Sequence, residues 1–169
     1  IRLVRQIYPQ LELLFSEGCI EYTRFSADNG LQNARMYGHD MIGNFNAGMN
    51  TFLDWNIALD ENGGPNHAKN YCEAPILCDT RRGTYEKQLS YYYIWHFSHF
   101  IEPGARHIAS TRFSEEVDAA AFQNPDGSII AVLLNLLPAQ KEVFLRMQGS
   151  IVPLLLDGDS ICTVRIEGA

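Results

Sequence analysis

The residues Leu11-Glu12-Leu13-Leu14-Phe15-Ser16-Glu17-Gly18 carry the clearest indication of the fold, because they form a short, nearly continuous apolar run that ends in a polar turn. A strand buried on both faces has such a run, whereas a half-exposed strand alternates apolar and polar residues. We therefore predict a parallel strand at Leu11–Phe15, covered on both faces. Glu17 follows at its carboxyl end, where the active sites of α/β barrels are assembled.

The residues after this strand predict an α/β pattern. Apolar residues recur at helical spacing up to Gly48, a typical helix terminator, so we expect an amphipathic helix there. Its periodic members are Ala34, Tyr37, Met41 and Phe45. A second buried strand is predicted at 50–55 and a helix at about 87–101. A long loop that contains Gly63-Gly64-Pro65-Asn66 separates them.

Beyond Gly104 the pattern changes to short β-rich runs separated by turns, among them Asn124-Pro125-Asp126-Gly127. The predicted strands are Val117–Phe122, Ile129–Leu134, Val143–Met147, Ile151–Leu156 and Ile161–Ile166. This half is typical of an antiparallel β-sandwich. We place the domain boundary near Gly104, with an α/β domain at 1–104 and an all-β domain at 105–169.

Composition and charge exclude several classes of protein. Of the 169 residues 46% are hydrophobic, and 13 Lys and Arg against 20 Asp and Glu give a net charge of −7. The chain has no basic stripe for phosphates, so we expect no nucleic-acid partner. No apolar run approaches the ~20 residues of a transmembrane segment. Because the chain begins with Ile1, we interpret it as part of a longer polypeptide.

Two residues at strand ends are candidates for carbohydrate chemistry. Glu17 could act as a catalytic carboxylate, although a Glu after a strand is more often a solvated loop residue. Trp55 ends the second predicted strand and could form a platform for a sugar ring, but a Trp at this position is about as often part of the core. A carboxylate and an aromatic residue on successive strand ends favour a carbohydrate site.

Metal sites are less well supported. His96 and His99 are three residues apart on the predicted helix, but aromatic neighbours indicate a packed helix face. Cys72 and Cys78 could pair or bind a metal, yet their spacing matches no common zinc motif. We expect no metal and no cofactor.

Several ordered motifs resemble the carboxyl-terminal third of glucosylceramidases, the acid β-glucosidases of glycoside hydrolase family 30. The motifs are Leu13–Cys19, Leu53–Leu59, Gly63–Asn66 with Asn70, Ala74–Ile76, His96–Ile101 and Asn124–Ser128. The resemblance implies the last two β/α units of a (β/α)₈ TIM barrel followed by a β-sandwich. It also implies that Glu17 is the nucleophile of a retaining mechanism and that Trp55 and Asn70 bind the substrate.

The resemblance leaves the second catalytic carboxyl outside this chain. In the family the acid/base follows an Asn at the end of the fourth strand, and the sequence contains no Asn-Glu pair. We therefore expect the 169 residues alone to be inactive, with the remainder of the barrel as a partner. The expected substrate is a β-glucoside or glycolipid.

Alternative functions and the localisation stay open at this point. The family also contains β-1,6-glucanases and β-xylosidases, and a non-catalytic carbohydrate-binding or structural module is a further alternative. The sequence lacks Asn-x-Ser/Thr glycosylation motifs, which favours a cytoplasmic or secreted microbial protein over a lysosomal one.

Overall fold

The computed structural model describes residues 1–167 and divides the chain into two compact units, Ile1–Trp95 and a second that begins at His96. The first unit contains α1 (Arg2–Ile7), β1 (Leu14–Gly18), α2 (Gly30–Asn46), β2 (Thr51–Asp54), β3 (Ala58–Asp60), β4 (Ile76–Asp79) and β5 (Thr84–Lys87). The next helix is α3 (Leu89–Ser98). The second unit contains β6 (Arg106–Ile108), β7 (Val117–Gln123), β8 (Ile129–Asn135), β9 (Lys141–Met147), β10 (Ser150–Leu156) and β11 (Ile161–Ile166).

The two strands β1 and β2 pair in parallel, as the sequence predicts, with Phe15 opposite Phe52. Burial on both faces, in contrast, is wrong: Leu14 is 52% exposed. Within residues 1–167 this sheet has only β1 and β2, so each strand lacks a neighbour on its outer edge. Leu14, an apolar residue typical of a covered strand, is therefore exposed to solvent.

The strand β1 begins at Leu14, later than the apolar run suggests, and a short helix and a turn precede it. The helix α1, which the sequence pattern did not predict, places the guanidinium of Arg5 close to the start of the run. Arg5 Nη1 donates a hydrogen bond to the carbonyl of Leu11 at 2.6 Å, which holds Leu11 in a turn. Glu17 lies inside β1, directly before its last residue, and not after the strand.

The helix α2 confirms the helical pattern and buries Ala34, Tyr37 and Met41 on one face. It ends where glycine is required, since Gly48 has a φ of +102°. With 17 residues α2 is the longest described helix. In the described part of the chain, no helix combines the length and apolar character needed to cross a membrane.

The predicted long loop contains a small sheet of its own. β3 pairs in parallel with β4, and β4 pairs antiparallel with β5. Each of the three strands has three or four residues, which is too short for a recognisable alternation. Leu59 of β3 forms a buried cluster with Cys72 and Ala74.

The second unit confirms the predicted β-sandwich. β6, β7, β8 and β11 form an antiparallel sheet in the order β11-β8-β7-β6, and β9 and β10 form a hairpin. All seven residues of β8 are buried. Val117, Leu133 and Leu156 form a core cluster against which residues of β9, β10 and β11 pack. The predicted strands differ from the observed ones by at most two residues, and β6 was missed.

Buried polar groups of the sandwich are hydrogen bonded. The Asn135 side chain is fully buried, and its amide nitrogen donates to the carbonyls of Ala139 at 2.9 Å and Asp157 at 2.8 Å. Its side-chain oxygen accepts from the Leu137 N–H at 3.1 Å. A single asparagine thus ties the end of β8 to two neighbouring turns.

Candidate active site

The carboxyl ends of β1 and β2 bring two of the predicted site residues onto neighbouring backbone segments. Gly18 lies opposite Asp54 in the parallel pair. The N–H of Trp55 donates to the carbonyl of Gly18 at 2.8 Å. Glu17 and Trp55 therefore lie on adjacent strand ends, and Glu17 is exposed.

The strand β1 carries a bulge at Glu17. The register advances by three residues from Phe15 to Gly18, while β2 advances by two from Phe52 to Asp54. Bulges are common next to active sites, where they re-aim a side chain. The rings of Phe15 and Phe52 stack beside the bulge with centroids 4.8 Å apart.

Gly18 is a site residue that the sequence analysis did not single out. A Cβ at this position would lie 2.7 Å from Cε1 of Phe15 and 3.4 Å from Cζ of Phe52. A larger residue would therefore displace the stacked rings next to Glu17. The tight fit explains why a glycine follows the candidate nucleophile directly.

Trp55 contributes to the core as well as to the strand edge. It is partly buried and packs against the cluster of Leu59, Cys72 and Ala74. Both interpretations of Trp55 are therefore compatible with the structure. Part of the side chain packs against the core, and part remains accessible to solvent.

Asp54 was not predicted as part of the site, but it organises the end of β2. Its Oδ1 accepts hydrogen bonds from the hydroxyl of Tyr37 at 3.1 Å and from the N–H of Trp55 at 3.0 Å. Burial raises the pKa of Asp54 to about 6, although these two hydrogen bonds oppose the change. Burial and the nearby Asp54 carboxylate raise the pKa of Tyr37.

The loop that contains Asn70 is closed by hydrogen bonds. Oδ1 of Asp60 accepts from the N–H groups of Asn62 at 2.8 Å and Gly64 at 2.9 Å. The Asn70 N–H donates to Oδ1 of Asn66 at 3.1 Å. These contacts fix the backbone on both sides of the loop and hold Asn70, which is partly buried, in place.

The segment after Asn70 pairs with the continuation of β1. The Tyr22 N–H donates to the Tyr71 carbonyl at 2.8 Å, and the Glu73 N–H donates to the Ile20 carbonyl at 2.9 Å. These hydrogen bonds attach the segment that contains Asn70 to the segment that contains Glu17. All three predicted site residues lie on segments that hydrogen bond to one another within the first unit.

Comparison with known proteins identifies the family. The family model for the glycosyl hydrolase family 30 TIM-barrel domain matches residues 3–101, and the model for the family 30 beta sandwich domain matches residues 104–164. The chain belongs to glycosyl hydrolase family 30. The resemblance inferred from the motifs and the predicted fold, a TIM-barrel fragment plus a β-sandwich, are thus confirmed.

Relatives within family 30 include enzymes named for glucosylceramide. The chain is 33% identical over 138 residues to the lysosomal acid glucosylceramidase of Mus musculus, covering 77% of this chain and 26% of that protein. It is 34% identical over 134 residues to putative glucosylceramidase 4 of Caenorhabditis elegans, covering 76% and 25%. The chain therefore spans about a quarter of the length of these relatives.

Solved structures agree with the fold. The crystal structure of SrfJ from Salmonella typhimurium superposes with a TM-score of 0.93 at 33% identity, over 99% of this chain and 38% of that one. An endo-β1,6-glucanase superposes with a TM-score of 0.83 at 25% identity, over 97% and 37%. The exposure of Leu14 has a simple reason in this context, because β1 and β2 are two strands of an eight-stranded barrel.

A buried carboxylate adds to the polar character of the family 30 barrel part. Glu73 is 4% exposed, and its Oε2 accepts from Nδ2 of Asn33 at 2.5 Å. Burial raises the pKa of Glu73, whereas Ser90 and Asn33 counteract the rise. No sequence pattern indicated this group, because its partners come from α2 and from the start of α3.

Within residues 1–167 the candidate metal ligands His96, Cys72 and Cys78 belong to no cluster that could hold a metal ion. Nδ1 of His96 lies 2.8 Å from Oγ1 of Thr163, which supports a role in packing. Cys72 and Cys78 are free thiols. Among residues 1–167, no cluster of three or more His, Cys, Asp or Glu side chains could hold a metal ion.

One surface depression of about 320 Å³ lies elsewhere in the first unit. Its lining residues are Glu61, Asn62, Asp79, Arg81 and Arg82. None of Glu17, Trp55 and Asn70 lines it. This depression is therefore separate from the predicted site residues.

Proposed function

We propose that this chain carries the nucleophile side of the active site of a retaining β-glucosidase. Glu17 is the nucleophile, and Trp55 and Asn70 bind the glucosyl unit. The observation that carries the proposal is the hydrogen-bonded arrangement of the three segments at the carboxyl ends of β1 and β2. In TIM barrels this end of the sheet is the catalytic end.

The mechanism explains what Glu17 contributes and what it lacks. A retaining glycosidase uses two carboxyl groups about 5 to 5.5 Å apart. One attacks the anomeric carbon, and the other protonates the leaving oxygen and then activates water. Since the sequence has no Asn-Glu pair, the acid/base comes from outside this chain. The 169 residues alone are then inactive, and the remaining strands of the barrel complete the site.

The proposed substrate is glucosylceramide or a related β-glucoside. The names of the relatives from Mus musculus and Caenorhabditis elegans support this choice. The structural similarity to an endo-β1,6-glucanase supports a second candidate, hydrolysis of a β-1,6-glucan. A β-xylosidase and a non-catalytic carbohydrate-binding or structural module are further alternatives. The matches at 3–101 and 104–164 support the proposed domain boundary near Gly104.

Covalent labelling tests the proposal directly. The full-length protein is incubated with a mechanism-based β-glucoside inactivator that traps the glycosyl-enzyme, then digested and mapped by mass spectrometry. We expect a glucosyl-sized adduct on Glu17 and none on the Glu17→Gln variant. Glu12→Gln, which changes an exposed carboxylate of the same segment, serves as the matched control and should still be labelled.

The alternatives predict different labelling. An adduct only with the corresponding β-xyloside reagent would replace the glucosidase by a xylosidase. Exclusive turnover of β-1,6-linked oligosaccharides would favour the glucanase. A folded protein that binds sugars but is labelled by neither reagent would favour the non-catalytic module.

A further inference from the structure

Two cysteine side chains touch next to the candidate active site. Sγ of Cys19 lies 3.2 Å from Sγ of Cys72. Cys19 follows Glu17 by two positions, and Cys72 follows Asn70 by two. Neither thiol takes part in the proposed hydrolysis. We propose that Cys19 and Cys72 are an oxidation site, which a hydroperoxide converts into a disulfide that links the strand of Glu17 to the segment of Asn70.

Backbone pairing holds the two sulfur atoms together. The hydrogen bond from the Glu73 N–H to the Ile20 carbonyl lies on one side of Cys72, and the bond from the Tyr22 N–H to the Tyr71 carbonyl lies on the other. The contact is thus a property of paired chains and not of a free loop. A disulfide bond is about 2.0 Å long, so the sulfur atoms need to approach each other by only about 1 Å.

The two thiols differ in their access to an oxidant. Cys72 is fully buried, while Cys19 is partly exposed. Burial, together with the hydrogen bond and charge of Cys19, raises the pKa of Cys72 to about 12. Cys72 therefore stays protonated near neutral pH. Because oxidation requires an accessible thiolate, Cys19 reacts first and Cys72 is the resolving thiol.

The bonds of the reaction balance in two steps. The Cys19 thiolate attacks the O–O bond of the hydroperoxide, which gives a sulfenic acid on Cys19 and releases the other oxygen as an alcohol, or as water from hydrogen peroxide. The sulfur of Cys72 then attacks the Cys19 sulfur. The S–O bond breaks, and the departing hydroxide takes the proton of Cys72 to form water.

The hydrogen bond of Cys72 prepares it for this second step. Its thiol donates to the carbonyl of Asn70, with Sγ and the oxygen 3.1 Å apart. Because the only S–H of Cys72 points at that carbonyl, the lone pairs of the sulfur remain for Cys19. Contact between the reacting atoms raises their effective concentration, which offsets the small fraction of Cys72 thiolate.

Disulfide formation removes a contact of a proposed substrate-binding residue. Once oxidised, Cys72 has no proton to donate to the Asn70 carbonyl. A displacement of about 1 Å near a reacting centre can lower activity by about a hundredfold. We expect oxidation to raise KM for the β-glucoside about tenfold or more. This consequence rests on the proposed function, whereas the disulfide itself does not.

Peptide mapping tests the disulfide independently of activity. The reduced full-length protein is treated with hydrogen peroxide, its remaining thiols are alkylated, and it is digested with trypsin and a Glu-specific protease. We expect the peptide Gly18-Cys19-Ile20-Glu21 linked to Asn70-Tyr71-Cys72-Glu73. The linked product is lighter by two hydrogen atoms than the sum of the two peptides, and dithiothreitol reverses the link.

Matched variants assign the link. Cys19→Ser and Cys72→Ser should abolish it, and Cys78→Ser, which alters another partly buried thiol, should leave it intact. Cys19→Ser covers the case in which the buried Cys72 does not tolerate substitution. A folded, oxidised protein in which Cys19 reaches the sulfinic acid while Cys72 remains alkylatable would overturn the proposal.

A kinetic measurement on the same samples tests the effect on the site. Reversible KM elevation in the wild type, absent in Cys19→Ser, is the expected result. A cross-link that leaves hydrolysis unchanged overturns the coupling to Asn70. If the reduced protein hydrolyses no glycoside at all, the proposed function fails, while the mapped cross-link still decides the oxidation site.

Discussion

The two units of the chain differ in how completely their buried polar side chains are hydrogen bonded. In Ile1–Trp95, buried atoms without a hydrogen-bond partner include Oδ1 of Asn33, Oδ2 of Asp54 and Nδ2 of Asn66. In the described residues of the second unit no such side-chain atom occurs. Asn135, which is just as buried as Asn33, uses both ends of its amide.

The difference follows from the two roles in the fold. The sandwich part satisfies its own polar groups and buries β8 completely, as an independent domain must. The barrel part has unpaired buried polar atoms and an exposed Leu14, and within the described residues β1 and β2 have no neighbouring strand on their outer edges. Unpaired buried groups in a native protein require a further partner, such as water or ligand. The candidate site lies in the unit that has them.

Glu17→Gln should have the largest effect and separate chemistry from stability. It removes the proposed nucleophile at nearly constant shape, so we expect kcat of the full-length protein to fall more than about 10³-fold. Binding of a glucose-like inhibitor, measured by calorimetry, should change little. Substantial turnover by a folded Glu17→Gln protein would refute the assignment.

Ile130→Ala in the sandwich tests whether truncating an apolar strand residue lowers the free energy of unfolding more in the second unit than in the first. Ile130 is fully buried in β8, and its truncation should lower the free energy of unfolding by about 2 to 5 kcal/mol in urea titrations. Leu14→Ala in the 169-residue chain should cost less than about 1 kcal/mol, because Leu14 is half exposed. In the full-length protein Leu14→Ala should cost more. Equal losses in the short chain would contradict the comparison.

Trp55→Ala should have an intermediate effect on the site. Loss of the stacking surface is expected to raise KM and to lower kcat/KM about tenfold in the full-length protein. Trp55→Phe, which keeps an aromatic face, should recover part of the loss. Phe144→Ala, which truncates an exposed aromatic residue of the sandwich, is the control. Unchanged kinetics for Trp55→Ala would make Trp55 a core residue only.

Asp54 should give the smallest effect, a change in pH dependence. Its pKa is raised from 3.8 to about 6 in the folded protein, so the folded state binds the proton more tightly than the unfolded state. Stability from this group is fully present below about pH 4 and is lost as the pH rises through 6. Asp54→Asn should remove this dependence, as measured by Tm between pH 4 and pH 7.

A second variant gives the direction of the Asp54 effect. Tyr37→Phe removes a hydrogen bond to Oδ1 of Asp54 that lowers its pKa, so the loss of stability should move to higher pH. Asp126 of the second unit shows the opposite change from Asp54. It is exposed, and its pKa is lowered because its carboxylate accepts hydrogen bonds from Ser128. An Asp54→Asn protein with the wild-type Tm profile would be inconsistent with this account.

The sandwich could be predicted well because its signals are local. Alternation and the turn Asn124-Pro125-Asp126-Gly127 are readable in short windows, and Gly127 has the positive φ of +87° that the turn needs. The strands of the barrel part were harder to predict from the sequence. Leu11, at the start of the apolar run, lies outside β1, and its carbonyl accepts a hydrogen bond from Arg5. The short strands β3 to β5 have no periodicity to detect.

The candidate site could be predicted only in part for the same reason. Motif similarity indicated Glu17, Trp55 and Asn70, whose roles remain predictions. It did not indicate the contact between Tyr37 and Asp54 or the contact between Cys19 and Cys72. These pairs are separated by 17 and 53 positions in the chain, so only the folded structure brings them together.

Because of the bulge in β1, the number of residues between Phe15 and Gly18 determines how Glu17 is oriented, in addition to which residues are present. Side chains alternate between the faces of a strand, so removing one residue reverses the face of those that follow. Deleting Ser16 would restore the regular register between Phe15 and Gly18 while keeping Glu17. The carboxylate would still be present in the sequence but would be turned relative to the strand end. A homologue with this deletion is therefore expected to place the carboxylate differently even with Glu17, Trp55 and Asn70 retained.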